Sequence, residues 1–176
     1  RASPGDVSEQ AAVGDAEAAR GIGSLAPLSM RSTLESVGTV LLLNDAYNAN
    51  PASAREALAL LDTVGAGRPQ VVVLGSMLEL GAQSDALHEE IARRALGSRA
   101  TVVAGIGEFV APLHRLAPGD PRVVTAVDAE ALWPLLRPRL SLDAVILLKG
   151  SRGTRLERLV PHLRAFVGLD PPAAQS

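Results

Sequence analysis

From Val40 onward the chain alternates short aliphatic runs with longer stretches in which apolar positions recur every three or four residues. The runs predict strands at 39–45, 70–75, 100–104, 122–125 and 144–148, and the periodic stretches predict helices at 51–64, 85–96, 107–116, 129–136 and 154–166. Val71-Val72-Val73-Leu74 and Val145-Ile146-Leu147-Leu148 are apolar at every position rather than at every second one. Strands of that kind are buried on both faces, as a parallel sheet between two helix layers requires. The expected architecture is α/β: a doubly wound, mostly parallel, Rossmann-like sheet with helices on both faces. The caps agree with these boundaries. Asn50-Pro51 supplies a side-chain acceptor followed by a residue without an N–H, Asp128 caps the helix carrying Leu132 and Trp133, and Thr154-Arg155-Leu156-Glu157 has capping-box spacing.

The first 38 residues differ, with Ala, Gly, Ser and Glu dominant, a short helix expected through 15–20 and a breaker cluster at 21–27. Residues 1–28 read as the tail of a preceding domain with its linker, 29–168 as one domain, and 169–176, with Pro171-Pro172, as a flexible tail. A chain opening Arg1-Ala2-Ser3 is expected to be a processed or excised piece of a longer product. The length of 176 residues suits one domain.

Mean hydropathy is +0.20, yet no apolar run approaches the roughly 20 residues of a spanning helix. No membrane partner is expected, and without a signal peptide the expected location is cytoplasmic. A net charge of -2 and 2% aromatic residues speak against nucleic acid as a partner. The absence of cysteine excludes disulfides, thiolate nucleophiles and zinc-thiolate sites. Only one of the seventeen basic residues is a lysine, Lys149. It follows a strand without the glycines of a phosphate-binding P-loop. Gly105-Ile106-Gly107 lacks the third glycine of the dinucleotide fingerprint, which falls at Val110, and reads as a tight βα turn. His88, His114 and His162 have no partner at metal-ligand spacing, so no metal site is expected.

Three polar segments lie at the carboxyl ends of predicted strands, where open α/β sheets bind ligands. Asn44-Asp45-Ala46-Tyr47-Asn48-Ala49-Asn50-Pro51 combines a carboxylate, a phenol, carboxamides and a helix start, a set suited to ribose hydroxyls and an anion. The bland alternative is an Asx-rich turn with a cap, which accounts for Asn50 and Pro51 but not for Asp45, Tyr47 and Asn48. Gly75-Ser76-Met77-Leu78-Glu79-Leu80-Gly81 is followed by Ser84 and His88. It reads equally as a binding loop or as a loop with a capped, solvated helix start. Lys149-Gly150-Ser151-Arg152 brings a point charge and a guanidinium fork to one loop, a pair suited to a carboxylate or phosphate, with solvated loop charges as the alternative.

These segments, in this order, resemble the carboxyl-terminal domain of the Mur ligases. The family pattern Asp-Asp-Ser-Tyr-Asn-Ala-Asn-Pro stands here as residues 44–51, Leu-Gly-Asp-Met-x-Glu-Leu-Gly as residues 74–81, and Lys-Gly-Ser-Arg intact as residues 149–152. Asn44 and Ser76 stand where the family carries aspartates, so two negative charges are missing. The likeness covers about 29 to 166, and Met30-Arg31 looks like the family's hinge.

The resemblance implies the last domain of a three-domain, ATP-dependent ligase that activates a peptide carboxylate as an acyl phosphate. Its substrates would be UDP-N-acetylmuramoyl-tripeptide and D-alanyl-D-alanine, with ATP and Mg held mainly by a central domain, and the enzyme a monomer. It further implies nucleotide contacts at Asp45, Tyr47, Asn48 and Asn50, and at Arg31 on closure. Substrate contacts would be Ser76, Met77, Glu79, His88, Lys149, Ser151 and Arg152, with Lys149 and Arg152 catalytic. Two alternatives stay open. One is the same domain in another Mur-type or folylpolyglutamate-type ligase, against which Tyr47-Asn48-Ala49-Asn50-Pro51 argues. The other is a free-standing, non-catalytic anion-binding module.

Overall fold

In the computed structural model, residues 32–170 are described. The expected helix at 15–20, the preceding-domain tail, the hinge residue Arg31 and the Pro171-Pro172 tail lie outside them.

The continuously apolar runs form the centre of a six-stranded sheet. Its strands are β1 (Thr33–Val37), β2 (Val40–Asp45), β3 (Gln70–Leu74), β4 (Val102–Ile106), β5 (Val123–Ala126) and β6 (Val145–Lys149). The spatial order is β1-β2-β6-β3-β4-β5. Every pair is parallel except β1–β2, an antiparallel hairpin closed at Gly38-Thr39, where Gly38 takes a φ of +60°. β1 was not among the expected strands. Its burial is mixed, with Thr33, Glu35 and Ser36 exposed, Leu34 partly buried and Val37 buried, as suits a strand at the edge of the sheet.

Among the described residues five α-helices cover the two faces: α1 (Pro51–Val64), α2 (Ser84–Leu96), α3 (Val110–Leu116), α4 (Ala129–Leu136) and α5 (Leu159–Phe166). Successive strand residues point to opposite sides. Val72 and Leu74 accordingly join Leu61 of α1, Ile91 of α2 and Leu113 of α3 in one core. Val71 and Val73 join Leu132 of α4 and Leu163 of α5 in the other. The doubly wound arrangement follows directly from that alternation.

Asn50 caps α1 as expected, accepting the Ser53 N–H at 2.8 Å while Ser53 Oγ accepts the Asn50 N–H at 3.1 Å. Asp128 caps α4 through the Ala131 N–H, also at 2.8 Å. Thr154 does not cap a helix at 154–166. Its hydroxyl donates to the Ser151 carbonyl at 2.6 Å, and Arg155 is left-handed (φ 53°), so two short 3-10 turns precede α5, which starts at Leu159. Residues 107–109 likewise form a 3-10 turn before α3.

A guanidinium fork joins α1 to α2: Arg55 Nε and Nη2 donate to the two Glu90 carboxylate oxygens at 2.7 and 2.8 Å. Hydrogen bonding from Arg55 first, then from Arg94, holds the Glu90 carboxyl down to about 2 from an ordinary 4.5. A depressed carboxylate contributes stability above its unfolded value and loses it as pH falls through its folded value. Glu90→Gln is therefore expected to flatten the decline of the urea midpoint between about pH 4.5 and about pH 2. The pair is partly solvated, so the slope change is modest.

Candidate functional site

The three polar segments meet because β6 inserts between β2 and β3. In the parallel register Lys149 lies opposite both Asp45 and Leu74, so all three strands end at one level of the sheet and their loops emerge side by side. Glycine lets them touch. A Cβ on Gly150 would lie 2.7 Å from Thr154 Oγ1 and 3.1 Å from the Gly75 Cα.

Lys149 is 2% exposed. Its ammonium contacts Asp45 Oδ2 at 2.8 Å and donates to the Asn48 carbonyl. Burial pushes the Lys149 pKa below its ordinary value, while the Asp45 carboxylate works against that shift. The two residues expected to face different ligands thus form one buried ion pair that fixes the 46–50 loop. Tyr47 and Asn48 are exposed beyond it, and Asn50 is engaged as the α1 cap. Arg152 is exposed, with its guanidinium carbon 5.5 Å from the Tyr47 ring centroid. Tyr47 and Arg152 line an open cleft of about 400 Å³ together with Thr33, Asn44, Ala46 and Glu157. Asn44, in the first of the two lost aspartate positions, accepts the Ala46 N–H at 3.3 Å.

The second loop is held from several sides. Ser76 is buried; its Oγ accepts the Glu108 N–H at 2.9 Å and its carbonyl accepts the Ser151 N–H at 3.1 Å. A side chain on Gly107 would strike that same Oγ. Met77 is buried and donates its N–H to His88 Nε2 at 2.9 Å, and the Leu78 N–H donates to Ser151 Oγ at 3.0 Å. Glu79 follows, exposed and left-handed at φ 64°, a conformation rare for a residue with a Cβ. The anchored amides on its N-terminal side help to over-determine it.

Ser76, Met77 and Ser151 are therefore brought together as the frame of the loops, and Glu79, Tyr47, Asn48 and Arg152 stand on their solvent side. His88 is not solvated but buried beneath the second loop. Glu108, Gly107 and Thr154 belong to this frame although the sequence reading gave them no site role. Their position just after β4 and β6 is the signal that would have found them. Among the described residues no group of three or more His, Cys, Asp or Glu side chains could hold a metal ion. Nor is any helix among them long and apolar enough to cross a membrane.

An open, mostly parallel sheet with loops clustered at the carboxyl ends of its parallel strands is the α/β arrangement in which ligands are bound. Residues 30–152 match the family Mur ligase, glutamate ligase domain, and the chain belongs to that family. A UDP-N-acetylmuramoyl-tripeptide–D-alanyl-D-alanine ligase of Treponema pallidum is 36% identical over 151 residues, spanning 84% of this chain and 32% of the relative. The Bacillus subtilis protein of the same name is 30% identical over 151 residues, spanning 84% and 33%. The chain thus covers about a third of the length of these curated relatives. Among solved structures, MurF from Acinetobacter baumannii has a TM-score of 0.67 at 24% identity, covering 77% of this chain and 30% of that one. The Thermotoga maritima MurF ligase in complex with ADP has a TM-score of 0.62 at 24% identity, covering 82% and 32%. Both share the fold.

Proposed function

We infer that this domain works in an ATP-dependent amide ligase that joins D-alanyl-D-alanine to UDP-N-acetylmuramoyl-tripeptide, a step of peptidoglycan precursor synthesis. The observation that carries the reading is the cleft at the β2–β6 edge, where Tyr47 and Arg152 stand beside the buried Asp45–Lys149 pair. The names of the relatives support the choice of substrates.

In such a reaction a peptide carboxylate takes the terminal phosphoryl group of ATP, the dipeptide amine attacks the acyl phosphate, and inorganic phosphate leaves as the amide bond forms. This domain's part is positioning and charge stabilisation. Tyr47 offers a ring face and Asn48 a carboxamide to the nucleoside. Arg152 offers a fork to a carboxylate or phosphate oxygen pair. Lys149 acts from below by holding the Asn48 carbonyl. Magnesium, bound with ATP, would be held mainly by a central domain. The nucleotide phosphates would be held by a separate domain, Arg31 reaching them on closure. Substrates of this kind suit a cytoplasmic enzyme, and the family resemblance implies that it is a monomer.

Acceptor selectivity tests the reading. With UDP-N-acetylmuramoyl-tripeptide, D-alanyl-D-alanine and ATP, the enzyme carrying this domain is expected to give a product heavier by one D-alanyl-D-alanine less one water in mass spectrometry, even when glutamate and single alanines compete. A glutamate or single-alanine adduct would assign the domain to a sister ligase.

A further inference from the structure

His88 lies on α2, away from the cleft that holds Tyr47 and Arg152, yet its hydrogen bonds fix its protonation state. The Met77 N–H can only donate, and it points at Nε2 from 2.9 Å, so Nε2 carries no proton. Nδ1 lies 2.7 Å from the Ser84 carbonyl oxygen, which can only accept, so Nδ1 carries the proton. The ring is a neutral imidazole of one tautomer, 1% exposed, packed edge-on against Phe109 at 4.8 Å. One charged group faces it from a different element: Glu108, on the turn after β4, with Oε2 3.2 Å from the same Nε2 and receiving a hydrogen bond from Ser84 Oγ at 2.8 Å. On α2 itself, Ser84 Oγ lies 3.2 Å from Nδ1.

Nε2 therefore has two mutually exclusive partners. Unprotonated, it accepts from Met77. Protonated, it can only donate, and the Glu108 carboxylate is already in reach. The Met77 amide would then be left buried without an acceptor, a costly state relieved by moving the loop. That loop carries Leu78 and the left-handed Glu79 to the solvent side of the site.

We propose that His88 is a positioning residue and a proton-operated latch. Its neutral Nε2 holds the 76–80 loop in the working conformation, and its protonation hands the ring to Glu108 and releases the loop. This deepens the ligase reading and rests on it for the kinetic consequence, but the latch itself can be observed without turnover.

The test has two arms. In the first, long-range 1H–15N spectra of the 176-residue chain are followed across pH. The Nδ1-H tautomer is expected above the imidazole titration, and the Met77 and Leu78 amide shifts move in step with the ring. Amides that ignore the ring titration, or the opposite tautomer, overturn the latch whether or not the enzyme is a ligase. In the second arm, kinetics are measured on the enzyme carrying the domain. His88→Leu removes the acceptor and is expected to lower kcat/KM for the incoming amine by about 100-fold, the scale of a small misplacement of a binding loop. His88→Gln, whose amide oxygen can accept from Met77, is expected to recover most of that loss. A Gln variant that shows the Met77 hydrogen bond in its spectra yet stays as slow as His88→Leu would overturn the positioning role. A wild-type enzyme that makes no amide overturns the ligase reading, and the spectra alone then decide the latch.

Discussion

Replacing Lys149 by methionine is expected to lower the stability of the domain by about 3–5 kcal/mol, the usual consequence of removing one partner from a buried ion pair. The side chains involved are 2% and 5% exposed, and the ammonium has two protein acceptors, the Asp45 carboxylate and the Asn48 carbonyl. Methionine fills a similar volume but leaves the buried Asp45 carboxyl between β2 and β6 without its partner, so that its desolvation is uncompensated. The loss belongs to the orphaned charge and not to the lysine as such. Lys149→Met combined with Asp45→Leu is therefore expected to be far closer to wild type than Lys149→Met alone, since a buried pair replaced by apolar residues of similar volume is often neutral. Urea unfolding of the two single variants and the double variant measures this coupling. Additive losses would mean that the pair does not act as a unit.

Arg152→Ala is expected to leave the melting temperature nearly unchanged and to lower kcat/KM of the ligase by about 100-fold or more, the scale of losing one preorganised donor at developing negative charge. Arg152 is exposed and its ring contact with Tyr47 is a surface one, so little stability is at stake. Arg152→Lys keeps the charge but loses the planar fork and the stacking face, and it is expected to recover only a minor part of the activity. Full activity in Arg152→Lys would reduce the residue to a point charge, and full activity in Arg152→Ala would remove it from the site.

The two cases differ in what the chain makes legible. Arg152 follows a glycine and a serine beyond a strand end, and its exposure agrees with that position. Lys149 was legible as a singular residue, being the one lysine of the chain, but nothing local reveals that its partner lies 104 positions earlier in sequence. That contact exists because β6 lands between β2 and β3, a choice made by the packing of whole strands. The central strands were readable because burial on both faces leaves unbroken apolar runs at 71–74 and 145–148. β1 escaped because an edge strand with a mostly solvated face has a mixed composition. The misplaced start of α5 has a similar origin. Thr154 has cap spacing, but its hydroxyl is taken by the Ser151 carbonyl, and the left-handed Arg155 interrupts the backbone where a helix would begin. His88 carried the same ambiguity: a helix register alone does not reveal that a loop amide, eleven residues earlier, arrives over its ring.

The central claim is that this domain serves a ligase requiring both a peptide carboxylate and an incoming dipeptide amine. Phosphate release tests it most directly, measured on the enzyme carrying the domain with ATP and a magnesium salt. UDP-N-acetylmuramoyl-tripeptide and D-alanyl-D-alanine are supplied together and each omitted in turn. Sustained release only when both are present is the expected result, with amide product equal to phosphate. Release that proceeds equally without D-alanyl-D-alanine, or none with both substrates present, would contradict it.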